Sequence, residues 1–181
     1  MLTPRAIAST LAWALRSSLI SAMLFAACSG NAFADTVYQT RDDFLRELFG
    51  TPPQVRVLWL DNSAQGKLNA VLGHPYSQAR LRYWRADGKT AWILDEIGKE
   101  YPITAAFVVK NAAIERVRVL VYRETRGMEV HYPSFLQQFV GSTLLDGRLT
   151  RSIDGISGAT LSVHSMERMA RAALVLDTLA P

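Results

Sequence analysis

The stretch whose residue types and spacing suit chemistry is Asp154-Gly155-Ile156-Ser157-Gly158-Ala159-Thr160. Two glycines and an alanine leave a turn almost bare of side chains, so a bulky group can approach the backbone. A helical pattern follows directly. The free N–H groups at a helix start, with the helix dipole behind them, favour an anion such as a phosphate. Ser157 and Thr160 add two hydroxyls. Taken alone, these residues read first as a polar turn capping the helix, because Ser and Thr are ordinary caps. The anion site is the second reading. A serine nucleophile is the third, since Gly155-Ile156-Ser157-Gly158-Ala159 is one residue away from Gly-x-Ser-x-Gly. That elbow needs a strand of a mostly parallel sheet, a histidine and an acid, and nothing places His131 or His164 as the base. His74, His131 and His164 have no metal-ligand spacing among themselves.

The elements that must position this turn are read from periodicity. Thr40–Phe49 is a short helix, capped by Thr40 and ended by Gly50. Val55, Val57 and Trp59 alternate as the buried side of a half-buried strand. Ala64–Ser77 is ambiguous, and Gly73-His74-Pro75 is a turn with a solvated histidine. Leu81, Tyr83 and Trp84 lead to Asp87-Gly88, a favoured hairpin pair, and Thr90–Leu94 returns. Ile103–Lys110 is an apolar strand, Asn111–Ala113 a turn, and Ile114–Tyr122 a strand with Val117, Val119 and Val121 on one face. Arg116 and Arg118 fall on its wet face. Ser134–Val140 is a second short helix, with Ser134 and Gln137 at capping-box spacing. A last helix spans about Ser162–Leu179 and buries Val163, Met166, Ala170, Ala173 and Leu176. The expected class is α+β, an antiparallel sheet with helices packed on one face and the last helix following the glycine-rich turn.

The first residues carry Arg5 and Arg16, then the apolar run Leu19–Ala27, then Ala32-Phe33-Ala34. That run is short for a membrane span, and the whole reads as a signal peptide over 1–34, cut after Ala34. A retained anchor, or a lipid on Cys28, are the alternatives. The cut removes the only cysteine, and with it any thiol nucleophile or disulfide. Net charge falls from +4 to +2 on losing Arg5 and Arg16, which gives no reason to expect nucleic acid.

The turn resembles the flavinylation motif of FMN-binding domains: Asp, two variable residues, Ser or Thr, Gly, Ala, then Thr or Ser. Such domains occur in flavin-bearing subunits of the sodium-pumping quinone reductase, in Rnf-type electron-transport complexes and in small exported relatives. Every constant position is met, at Asp154, Ser157, Gly158, Ala159 and Thr160. The resemblance implies FMN carried as a phosphoester on Thr160, placed there by a flavin transferase. Gly158 and Ala159 then let the phosphate lie close to backbone, and Ser157 bonds the loop or the phosphate. Asp154 holds the loop or is read by the transferase, with a local hydrogen bond in the turn as its other role. Glu124-Thr125-Arg126-Gly127-Met128 resembles the family's Glu-Thr-Pro-Gly-Leu loop near the flavin, with Arg126 in the proline place. This adds Glu124, Thr125 and Gly127 as cofactor-binding residues. His164, four residues after Thr160, falls on the same side of the helix. The FMN-binding region is then 96–181, and 35–95 is an unassigned part of the same domain. The implied function is a periplasmic electron carrier whose partner is a membrane-embedded reductase or electron-transfer subunit. A small flavin-dependent periplasmic reductase and a non-redox periplasmic binding domain are the alternatives.

Overall fold

The computed structural model describes residues 35–181. The expected signal peptide, its cut after Ala34 and Cys28 lie outside the described residues. After β1 (Thr36–Val37), Thr40 caps α1 (Arg41–Phe49) by accepting the Asp43 N–H at 3.1 Å, and Gly50 ends it as expected. Pro52 and Pro53 separate α1 from β2 (Arg56–Trp59). Asp61 caps α2 (Asn62–Leu72) through a 2.7 Å bond from the Ala64 N–H, so the ambiguous segment is helix as far as Leu72 and Gly73 ends it. β3 (Arg80–Ala86) and β4 (Lys89–Ile97) meet at Asp87-Gly88, with φ of 53° and 70°. β5 (Pro102–Lys110) and β6 (Ala113–Tyr122) meet at Asn111-Ala112, with φ of 53° and 59°. Both are the left-handed pairs whose twist suits two-residue hairpins.

The helix expected over Ser134–Val140 is instead α3 (Pro133–Leu136) followed by a 3₁₀ turn, Gln137–Phe139. Proline at the first helical position starts it, and the Ser134–Gln137 capping box does not form. A small hairpin of β7 (Leu144–Leu145) and β8 (Arg148–Leu149) precedes α4 (Thr160–Leu179).

The main sheet runs β1-β6-β5-β4-β3-β2, antiparallel at each pairing, so the class is α+β. Helices α2, α3 and α4 cover one face, over Tyr83, Trp92, Ile103, Phe107 and Val119. The predicted apolar residues of α4, Val163 to Leu176, are buried there. Helix α1 adds a smaller core on the other face, where Phe44 and Leu45 meet Trp84, Ala106, Val108 and Leu120. Glu47 of α1 accepts from Arg116 at 2.9 Å and Arg118 at 3.5 Å, so these arginines lie against a helix rather than wholly in water.

Two strand faces differ from the periodic reading. Thr104 pairs with Val121 but Ala105 with Val119, so Leu120 is an extra residue in β6. This bulge sends Val121 to the α1 side and returns Tyr122 to the α4 side, away from the simple alternation with Val117 and Val119. In β2, Leu58 is buried while Val57 and Trp59 are 44% and 68% exposed, and Val55, just before the strand, is 52% exposed. The reason is coverage: α2 follows β2 and packs over Leu58 and Leu60, whereas the α1 cluster extends only to Trp84 of β3.

Helix α4 is held along β4 at both ends. Thr90 Oγ1 donates to Asp177 at 2.6 Å, and Trp92 Nε1 donates to Thr90 Oγ1 at 2.9 Å. Nearer the helix start, Arg168 Nε donates to the buried Glu96 at 2.9 Å and Ser165 Oγ donates to the Ile97 carbonyl at 2.5 Å. The N-terminus of α4 is thereby held at the sheet end where β4, β5 and β6 enter or leave their loops.

Candidate functional site

Helix α4 starts at Thr160, two residues before the expected Ser162. Ala159 stands at the cap position with φ −128° and no side-chain cap bond. The hydroxyls of Ser157 and Thr160 are therefore not caps, contrary to the plainest reading of the turn. The first helix bond runs from the Val163 N–H to the Ala159 carbonyl. The N–H groups of Thr160, Leu161 and Ser162 thus have no acceptor within the helix. Thr160 is exposed. Gly158 has φ 78°, and nothing lies within 4 Å of where a Cβ would stand. The turn meets both demands of a phosphate cradle, open space above the backbone and donors at a helix start.

A second wall is the loop after β6. At Gly127, with φ 83°, a Cβ would lie 2.6 Å from Ala159 Cβ and 2.9 Å from Tyr122 Oη. A side chain there would push the loop off the turn. Tyr122 Oη donates to the Arg126 carbonyl at 2.5 Å and lies 3.2 Å from Ser162 Oγ. Burial pushes the phenol pKa up, which keeps Tyr122 a neutral donor. The bulge in β6 is what aims Tyr122 here.

A third wall is the turn between β4 and β5. Glu124 Oε1 accepts the N–H groups of Lys99, Glu100 and Tyr101 at 2.5, 2.7 and 3.0 Å. One carboxylate oxygen thus ties the loop after β6 to the loop after β4. Together the walls bound a cleft of about 590 Å³, lined by Lys99, Glu100, Glu124, Thr125, Arg126 and the stretch from Gly158 to Ser162. This is within the usual size of small-ligand sites, roughly 300–1,000 Å³.

Of the residues expected from sequence, Thr160, Ala159, Gly158, Glu124 and Thr125 line the cleft, and Gly127 packs against Ala159. Ser157 and Asp154 are exposed and outside the lining. The Asp154 N–H donates to Gln138 Oε1 at 2.7 Å, but its carboxylate has no hydrogen bond among the described residues. His164 is exposed and also outside the lining. His74 is not a free loop histidine: its Nε2 lies 3.0 Å from Glu96 and its Nδ1 3.1 Å from the Pro75 carbonyl. His131 stacks on Tyr38 at 4.0 Å. The sheet is antiparallel and no histidine bonds Ser157 among the described residues, which removes the nucleophile elbow. The sequence reading missed Lys99, Glu100, Tyr122, Leu161 and Ser162. A faint signal existed for Tyr122, which stands two residues before Glu124 of the Glu-Thr-x-Gly loop; nothing local marks the others.

These features define an α+β domain that offers an uncapped helix start and an accessible hydroxyl to an anionic ligand. Residues 98–175 match the family described as FMN-binding domain. That span of the chain belongs to this family, and the protein is a flavin-binding protein. No curated protein and no solved structure matches the chain. The matched span begins just after β4, so β1, α1, β2, α2, β3 and β4 lie before it, yet β1, β2, β3 and β4 belong to the same sheet as β5 and β6.

Proposed function

We propose that the protein carries FMN as a phosphoester on Thr160 and serves as an exported electron carrier. The observation that supports this most is the exposed Thr160 hydroxyl at an uncapped helix start, facing the cleft inside the matched span. In the proposed attachment Thr160 Oγ1 gains a bond to phosphorus and loses its proton. A flavin transferase supplies FMN as the flavin half of a dinucleotide. Its P–O–P anhydride bond breaks as the new P–O bond forms, the nucleoside monophosphate leaves, and the Thr160 proton passes to solvent or to a base of the transferase. The N–H groups of Thr160, Leu161 and Ser162 then hold phosphate oxygens, and Gly158 leaves room for them. Lys99 and Arg126 add positive charge at the rim. Glu124 acts through the turn it ties, and Tyr122 and Gly127 keep the loop against Ala159. Asp154 and Ser157, exposed beside the cleft, suit recognition by the transferase. Bound FMN supplies the redox chemistry.

A covalent tether suits a carrier outside the cytoplasm, where a lost cofactor is not replaced. The partner in this reading is a membrane-embedded reductase or electron-transfer subunit, and the signal-peptide pattern of 1–34 favours the periplasm. The test is co-expression with a flavin transferase, followed by intact mass and tryptic mapping. FMN is expected on the peptide Ser152–Arg168. Full flavinylation of a Thr160→Ala protein overturns the reading.

A further inference from the structure

We infer that the bare side of β2 and β3 is a docking surface for an anionic phospholipid membrane. Val57 and Trp59 of this edge strand stand opposite Arg82 and Arg80 in register, so apolar and basic side chains alternate across one face. The core under α1 stops at Trp84, and the face beyond it is uncovered. A groove of about 610 Å³ runs over it, lined by Arg41, Trp59, Arg80, Arg82, Trp84 and Asp95 among others. The acidic residue of its lining, Asp95, accepts from Thr104 Oγ1 at 2.5 Å, and of its arginines Arg41 is paired with Asp42 at 2.9 Å. The Arg80 guanidinium lies 5.8 Å over the Trp59 ring. Neither Arg80 nor Arg82 has an acidic partner among the described residues.

The chemistry selects the occupant. An acidic polypeptide satisfies the arginines but leaves Trp59, Val57 and Val55 in water. A membrane surface takes both parts. Tryptophan sits well at headgroup depth, and arginine lays its stem along apolar surface with its head at the phosphates. Anionic lipid supplies the complementary charge. Trp59 and Arg80 stand at the sheet end where β4, β5 and β6 lead into the cleft walls, so docking here turns that end toward the membrane. The inference does not depend on covalent flavin.

The protein recovered from an expression host is mixed with vesicles of phosphatidylcholine alone or of phosphatidylcholine with phosphatidylglycerol. Co-sedimentation is expected with the mixed vesicles and not with phosphatidylcholine alone, and it weakens with added salt. Trp84 and Trp92 are buried, so the emission lost in Trp59→Ala isolates Trp59. That component is expected to shift blue and to be quenched by brominated lipid. Each arginine near an anionic surface strengthens binding about fivefold, so Arg80→Gln with Arg82→Gln is expected to weaken it about 25-fold. Circular dichroism checks that these surface variants stay folded. No binding to the mixed vesicles, equal binding by the double variant, or capture by soluble polyglutamate with unchanged Trp59 emission each overturns the inference.

Discussion

A methyl group on Gly127 would stand 2.6 Å from Ala159 Cβ, and the residue already sits at φ 83°. Both conditions resist any side chain, so Gly127→Ala is expected to cost about 1–3 kcal/mol of strain and to loosen the loop from the turn. Thermal unfolding and flavin content should fall together. Thr160 behaves oppositely. It is exposed and makes no cap bond, whereas losing a true cap costs about 0.5–2 kcal/mol. Thr160→Ala is therefore expected to leave the melting temperature unchanged while abolishing covalent flavin by mass, and Thr160→Ser to keep some flavin. A clear drop in stability would restore the capping role. Glu124→Ala frees three backbone N–H groups at once. It should destabilise by about 1–3 kcal/mol and raise hydrogen exchange at Lys99, Glu100 and Tyr101. An unchanged exchange pattern would show that the turn does not need the carboxylate.

At the scale of elements, α4 and β4 act as one unit, joined by Thr90 and Asp177 at one end and by Glu96 and Arg168 nearer the other. Glu96 also meets His74, which follows α2. The His74 pKa is raised, first by the Pro75 carbonyl and then, against some desolvation, by Glu96. The protonated ring can donate from both nitrogens, and both neighbours are acceptors. A raised folded pKa means this stabilisation is fully present below the unfolded value of about 6.5. It is lost as pH rises through the folded value. The side chain is 46% exposed, so solvent keeps the effect small. The difference in melting temperature between wild type and His74→Gln is expected to be largest in mild acid and to shrink toward alkaline pH. A difference that grows with pH would show that the neutral ring is the stabilising form.

For the whole molecule, the proposed carrier role needs an accessible flavin and a partner that the chain does not contain. Among the described residues no helix is long and apolar enough to cross a membrane. The flavinylated protein is expected to be reduced quickly by small artificial donors and reoxidised faster when host membranes are added. Stopped-flow absorbance of the flavin band checks this. Rapid turnover of one soluble metabolite, with membranes without effect, would replace the carrier with a reductase. Adjacent residues were enough to read the Asp87-Gly88 turn, the Thr40 cap, the apolar stripe of α4 and the flavin motif. Each depends on the geometry of a few neighbouring peptide units, so its signal is local. Asp146-Gly147, with φ of 49° and 74°, carries the same local signal in the small hairpin and went unread. The facing of β2 was not local: Val57 and Leu58 fit either side of a strand, and only the packing of α2 chose Leu58 for the core. Nor was the facing of Val121 and Tyr122, because a bulge is a mismatch between two strands and neither strand contains it alone. The cleft depends on Glu124 reaching the turn after β4 and on Gly127 meeting Ala159. Those contacts join residues far apart in the chain, and they exist only once the sheet has brought its strand ends beside the start of α4.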